Sequence, residues 1–600
     1  MKKILWMIIS LAAALLPVSC NGFLDQLPSG NYTDENYADY PALVRGYVEK
    51  AYSLRPSSYL STPGMACDGY ADNMAWRDRG SAMWRFCTGA STMSDDPLAG
   101  LWTRDYTGIY YCNLFLHESL GLGMRYMVNA QADKNLRSAL QGDAFGLRAW
   151  FLYELLKYYG GRSTAGDLLG VPVFTEPVDP AKADLNTLRR ATYDDCMKQI
   201  LADCDSALKY LPLANRDFLK EQEMIPVLGA VRYRRLDGIS VKALKALALL
   251  TWASPAFNPL DDRSRYDAAA RLAKEVIDFK LHEESAGSIA GGFSLDRAVS
   301  WCDPNDPEAL YISQIWQGAT YESNFYPQGF NGSGQYGPTQ ELVDAFPAAN
   351  GYPITDPRSG YDPQHPYEGR DPRFYATVFH DGSQVVRNTN ASDIMYVFDT
   401  AEGGKDAPGL VSTSPTGYYI RKHLYMGWNA SDAVVQTVYR SILFLRWTHL
   451  CLAFAEAANE VVGPLDETRY GLSAKEALSY IRRRPQEGGV PGVGAAGDPY
   501  LEECAVGGAR PFRALVRNEW RLETAFEGFR YHDLRRWATS VDEINFPVHR
   551  VRITVRDGVP QYESVELERR QFPSLWMPIP AGEMRRAPLL LQNEGWEAWK

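Results

Sequence analysis

Two stretches of the chain combine aromatic rings with planar hydrogen-bonding side chains outside any strong helical pattern. The first, Asp68 to Trp84, carries Asp68, Asp72, Asn73, Trp76, Arg77 and Trp84. The second, Trp301 to Tyr336, carries Trp301, Trp316, Gln317, Tyr321, Asn324, Tyr326 and Asn331. Rings set among amides, carboxylates and guanidinium groups suit saccharides. The C–H face of a sugar stacks on a ring, and its hydroxyls bond to planar donors and acceptors. With 36 Tyr and 15 Trp in the chain, ordinary core and loop packing is the competing use of these rings. Trp76 and Trp316 are the two rings expected to touch a ligand.

Patterns for catalysis are missing. His117-Glu118 is followed by Gly121 where a metalloprotease helix needs its second His, and there is no nucleophile elbow, P-loop or dinucleotide fingerprint. The expectation is a binding protein rather than an enzyme. An all-α glycosidase stays open as the alternative, because its two carboxylates meet only in three dimensions. No cofactor is expected. Asp303-Pro304-Asn305-Asp306-Pro307-Glu308 offers hard oxygen ligands for a structural calcium ion, or is simply a solvated acidic turn. The formal net charge of −11, without any basic run, argues against a nucleic-acid partner. The nine Cys contain no CxxC, and Cys196 and Cys204 are too far apart on one predicted helix to bond to each other.

The elements that must position these residues are mainly helical. Apolar stripes at helical spacing predict helices over 35–54, 101–120, 135–159, 193–211, 240–253, 266–280, 438–462 and 473–484. Thr192 supplies a cap, and Gly160-Gly161 and Pro485 supply stops. Small residues such as Ala243, Ala246, Ala248, Ala453, Ala455 and Ala457 let helices approach closely, so the helices should pack in tetratricopeptide-like pairs without a regular repeat. Helical periodicity fades over 281–436, which reads as a loop-rich insertion with small strands. Thr554 to Leu567 reads as a hairpin turning at Asp557-Gly558.

Lys2 and Lys3 followed by an apolar run from Ile4 to Leu16 make a secretion signal over 1–19. It ends at Pro17-Val18-Ser19-Cys20, which resembles a lipobox, so Cys20 is the expected lipid anchor and 20–34 a tether. Ordinary signal cleavage is the alternative.

Arg513 to Trp537 is the most charge-rich amphipathic stretch. Glu519, Glu523 and Glu527 form one like-charged row, and Arg517 and Arg521 another. Like charges at helical spacing weaken a lone helix, so both rows need partners from elsewhere. Local pairs Glu527–Arg530 and Asp533–Arg536 are expected, with a bend or close backbone approach at Gly528.

This stretch also carries a resemblance. RNEWRLETAFEGFRYHDLRRW resembles the C-terminal signature of the SusD/RagB family, with Trp520 in place of one Arg. LQGDAFGLRAWFLYELLKYYGG (140–161), YGPTQELVDAF (336–346), GRDPRF (369–374), YYIRKH (418–423), LFLRWTHLCLAFAEAANE (443–460), LWMPIPAGEM (575–584) and LLQNEGW (590–596) resemble its other landmarks in order. Asp143 replaces the usual Glu, and Trp447-Thr448-His449 departs from the family pattern. The resemblance implies a mainly α fold: a superhelical scaffold of helix pairs over about 35–280 and 437–600, with a loop-rich ligand-binding portion over about 57–100 and 281–436. It further implies a lipid-anchored outer-membrane protein, facing the cell exterior, that passes oligosaccharides to a TonB-dependent SusC-like transporter. A peptide ligand, or a protein-only adaptor role, remains open.

Overall fold

The predicted stripes become paired helices in the computed structural model, which describes residues 40–598 except 61–63, 92–94, 179–183, 216–231, 233, 286–304, 390–391, 485–491 and 494–496. The signal segment, Cys20, the tether and Trp301 lie outside the described residues. Helix α1 (Pro41–Ser53) packs on α2 (Ala99–Leu116), α3 (Ala130–Tyr159) on α4 (Tyr193–Tyr210), and α5 (Gly238–Ala253) on α6 (Arg263–Ser285). The short α7 (Thr320–Phe325) belongs to the loop-rich segment. Beyond it α8 (Trp447–Val462) packs on α9 (Ala474–Arg482). Contacts α2–α3, α4–α5 and α6–α8 join the pairs into one row over a single core.

Local chemistry explains the boundaries. Thr192 Oγ1 accepts the Asp195 amide at 3.0 Å and opens α4, whose stripe of Tyr193, Met197, Ile200 and Cys204 is buried. Helix α3 starts earlier than its apolar stripe suggested, because Asn129 Oδ1 accepts the Gln131 and Ala132 amides at 2.9 Å. It ends where Gly161 meets the Trp576 ring: a Cβ there would sit 2.3 Å from the indole. Ala243, Ala246 and Ala248 have no exposed surface, as expected for a helix covered on several sides. The described cysteines are buried and unbridged.

One helix is shorter than its sequence suggested. Residues 439–446 are not the start of α8 but two short strands, β5 (Tyr439–Arg440) and β6 (Leu443–Arg446). They pair antiparallel with β3 (Trp316–Gln317) and β2 (Ala309–Ile312). Farther away, β1 (Met74–Trp76) pairs with β4 (Tyr336–Pro338). The last ladder, β7 (Pro547–Arg556) with β8 (Val559–Arg569), turns at Asp557-Gly558, both at left-handed φ (51° and 79°), which is the twist a two-residue hairpin prefers.

The charge-rich stretch is two helices, α10 (Ala509–Glu523) and α11 (Arg530–Trp537), joined by a tight turn. Phe526 and Gly528 take left-handed φ of 64° and 86°, and a Cβ on Gly528 would lie 2.6 Å from the Gly64 carbonyl oxygen. The row of glutamates finds its partners across the fold. Arg373 donates to Glu519 at 2.6 Å and to Glu523 at 2.8 Å, and its other edge holds Asp371. Arg482 bonds Glu519 and Asp498, and Arg484 bonds Glu523 and, at 2.6 Å, Glu308. Glu527 receives Arg446 at 2.9 Å and Lys422 at 2.8 Å. Lys422 also donates to the Glu523 and Ala525 carbonyls at 3.0 and 2.7 Å, capping the end of α10.

One pairing expectation is corrected here, and Asp303 of the acidic run lies outside the described residues. Glu527 does not pair with Arg530, because the turn aims it at Arg446 and sends Arg530 to Asp72 at 2.8 Å. Asp533–Arg536 does form, at 2.8 Å. Glu308, offered as a calcium ligand, is instead fully engaged by Arg446, Arg484 and the Thr448 hydroxyl (2.5 Å).

Candidate functional site

The structure separates the candidate residues into buried and surface groups. Asp68, Asp72 and Asn73 lie under the protein against the α10–α11 turn. Asp68 accepts the Asn73 amide at 2.9 Å and the Gly528 backbone N–H at 2.8 Å, and burial pushes its carboxyl up to about 7. Asp72 is buried as well, but Arg521 and Arg530 overcome that and hold its carboxyl far below the ordinary range. Asn73 Oδ1 accepts Arg521 Nε at 2.9 Å. Trp76 is only 2% exposed, its indole laid over Gly69, where a Cβ would sit 2.4 Å from the ring. Tyr321 and Tyr326 have no exposed surface. These six side chains hold the scaffold together, and the expectation that they contact ligand is corrected by their burial.

What remains on the surface is brought together by α7. Trp316 on β3 is half-buried and meets Tyr321 edge-on, ring centres 5.4 Å apart. Tyr321 stacks on Phe325 at 5.5 Å, and Phe325 meets the half-buried Tyr336 edge-on at 6.0 Å. A row of polar groups follows the same path. The Gln335 amide N–H donates to the Asn324 carbonyl at 2.8 Å, and Arg77 donates to the Gln335 backbone and side-chain oxygens at 3.0 and 3.2 Å. Across the β3–β5 ladder, Gln317 stands opposite Tyr439, a residue 64% exposed. Asn331 is exposed and bonded to Ser431 at 2.9 Å. Trp84 is half-buried elsewhere, its indole N–H held by Glu568 on β8 at 2.7 Å.

A buried ion pair underlies this face. Arg440 donates to Glu322 at 2.6 Å and to the His423 carbonyl at 2.7 Å, and its guanidinium lies 5.3 Å from the Tyr321 ring centre. Glu322 also accepts the Tyr425 N–H at 2.6 Å. The pair thus fixes α7, β5 and the 421–425 loop in one geometry, and leaves Glu322 with no carboxylate turned to solvent. The face offers the half-buried Trp316 ring beside amide and guanidinium donors on rigid backbone, and the exposed Tyr439 ring stands on the other side of the β3–β5 ladder. That is the equipment for stacking a flat polar ligand and bonding its rim.

Tyr439 was missed by sequence reasoning because it lay inside an expected helix. The run Val438-Tyr439-Arg440-Ser441-Ile442-Leu443-Phe444-Leu445 is rich in β-branched and aromatic residues, which is the strand signal that was overridden. Gln335 carried no such mark, since only the fold places it between Arg77 and Asn324.

Family models match most of the chain. The SusD family model covers residues 306–596, and a SusD-like model described as starch-binding and associating with outer membrane covers residues 22–222. The chain belongs to the SusD/RagB family. Among solved structures it is similar to a SusD-like protein from Bacteroides fragilis (24% identity, TM-score 0.69), over 94% of this chain and 98% of that one. A surface glycan-binding protein A from Bacteroides fluxus shares 16% identity at a TM-score of 0.55, covering 91% and 96%. A laminarin-binding SusD-like protein shares 17% at 0.54, covering 94% and 99%. At these identities the likeness establishes the SusD-like fold, mainly α with small two-stranded ladders, and not a ligand. No curated protein sequence matches the chain.

Proposed function

We propose that the protein is a cell-surface glycan receptor that captures oligosaccharides at the face around α7 and passes them to a TonB-dependent, SusC-like transporter. The observation that carries the reading is the half-buried Trp316 ring beside the Arg77–Gln335–Asn324 row on a face braced by Arg440 and Glu322, with the exposed Tyr439 ring across the β3–β5 ladder. Family membership and SusD-like neighbours described as carbohydrate-, glycan- or laminarin-binding support it. Anchoring through Cys20 to the outer membrane, facing outward, is part of the same proposal. The description of one matching family model supports membrane association, and no described helix is long and apolar enough to cross a membrane.

The test is a polysaccharide affinity-gel screen of the soluble chain from residue 21 onward. Retardation by one glycan class, lost in the Trp316→Ala and Tyr439→Ala variants, is the expected result. Retardation by none, with capture of peptides instead, would move the ligand class.

A further inference from the structure

A partly open chamber of about 130 Å³ lies between α3, α5, β6 and the turn into α11, and the residues lining it are buried or half-buried. Its walls are of two kinds. Trp150, Tyr153, Trp520, Phe529 and Trp576 present aromatic surface, and Leu244, Leu247 and Leu250 of α5 present aliphatic surface. An engineered apolar cavity of roughly 150 Å³ in another protein takes up benzene, so this chamber has room for one ring of that size.

Its polar groups narrow the chemistry. Lys157 pairs with Glu154 at 2.5 Å and stands 5.0 Å from the Tyr153 ring centre. It is one of the lining residues and keeps 20% of its side-chain surface exposed. Asp533 is paired with Arg536 at 2.8 Å. Glu527 is held by Arg446 and Lys422, and Arg535 lies on the Tyr531 ring, 3.6 Å from its centre. A cation would enter such a wall uncompensated and pay its full desolvation cost. A hydroxyl, by contrast, finds donors and acceptors near at hand. His532 Nε2, Asp533 Oδ2 and the Trp150 and Trp520 indole N–H groups, all on lining residues, have no partner among the described residues.

We infer that the chamber is a binding site for a small neutral aromatic alcohol of about the size of phenol, its ring between the indoles and α5 and its hydroxyl toward Lys157. The inference does not depend on glycan binding at the α7 face.

Calorimetry of the purified protein with phenol, and separately with benzene, tests it. Saturable one-to-one binding of both is expected, with phenol at least tenfold tighter. Leu247→Trp fills the chamber and should abolish both. Lys157→Met combined with Glu154→Gln leaves no charge unpaired and should lower the phenol-to-benzene affinity ratio at least threefold. No saturable phenol binding, or wild-type binding by Leu247→Trp, overturns the inference. Should Leu247→Trp not fold, an unchanged phenol-to-benzene ratio in the double variant overturns it.

Discussion

At the scale of residues, a side chain's type says what chemistry it can do, and burial decides whether it does it. Trp76 and Trp316 looked alike in sequence, yet one is sealed over Gly69 and the other borders solvent. Stacking on a ring contributes about 0.5–1.5 kcal/mol beyond its buried area. Trp316→Ala and Tyr439→Ala should therefore each weaken retention of the bound glycan roughly three- to tenfold. Tyr439→Ala should leave the melting temperature within a degree or two, since most of its ring is outside the core. Unchanged affinity in both variants would remove these rings from the site. The candidate site was legible only in part. Its neighbourhood could be read from the mixture of rings and amides, but Tyr439 comes from a strand more than a hundred residues away, and nothing in local sequence signals that pairing.

At the scale of elements, α10 is the piece that other segments are fastened to. The glutamates of this stretch were recognisable as unpaired, but the partners were not, because Arg373, Arg446 and the Arg482/Arg484 pair come from three separate segments. The helices themselves were legible, since apolar periodicity is a local property. The break between α10 and α11 was less so: the sequence marked Gly528, while the left-handed Phe526 beside it is imposed by the packing. Glu523→Gln leaves buried Arg373 and Arg484 short of a charge. It should destabilise the protein by about 3–5 kcal/mol while leaving glycan affinity per folded molecule unchanged. Denaturant titration measures the first and affinity gels the second. A stable variant with lost binding would place Glu523 in the site instead.

At the scale of the whole molecule, the buried charges set the response to acid. Burial opposes ionisation of Glu523, but Arg484, Arg373 and Arg446 outweigh it and hold the carboxyl at about 2; Glu519 and Glu527 are lowered in the same way by their own cationic neighbours. A carboxyl whose folded value lies below its unfolded one stabilises the fold above the ordinary carboxylate range, and that contribution is lost as pH falls toward the folded value. Urea midpoints should therefore drop steeply between about pH 5 and pH 2, and Glu523→Gln should flatten the slope. Equal slopes for the two proteins would show that Glu523 does not carry this contribution. The family landmarks legible in the sequence are largely these charged and bracing groups. Asp371 and Arg373 of GRDPRF, Lys422 of YYIRKH and the glutamates of α10 meet in one cluster, and Asn593 of LLQNEGW donates to the Tyr159 carbonyl of the KYYGG helix end at 3.0 Å. They mark the frame.

The Lys422 contact with the end of α10 also sets a timetable. The Lys422 ammonium gains the Glu523 and Ala525 carbonyls and the Glu527 carboxylate only when α10 and the turn after it have formed, and both lie late in the chain. The loop that carries Lys422 and His423 is the same one whose Tyr425 amide ties to Glu322 under the α7 face. The brace under the α7 face is therefore complete only once the chain through Glu527 has folded, however early its first helix pairs form.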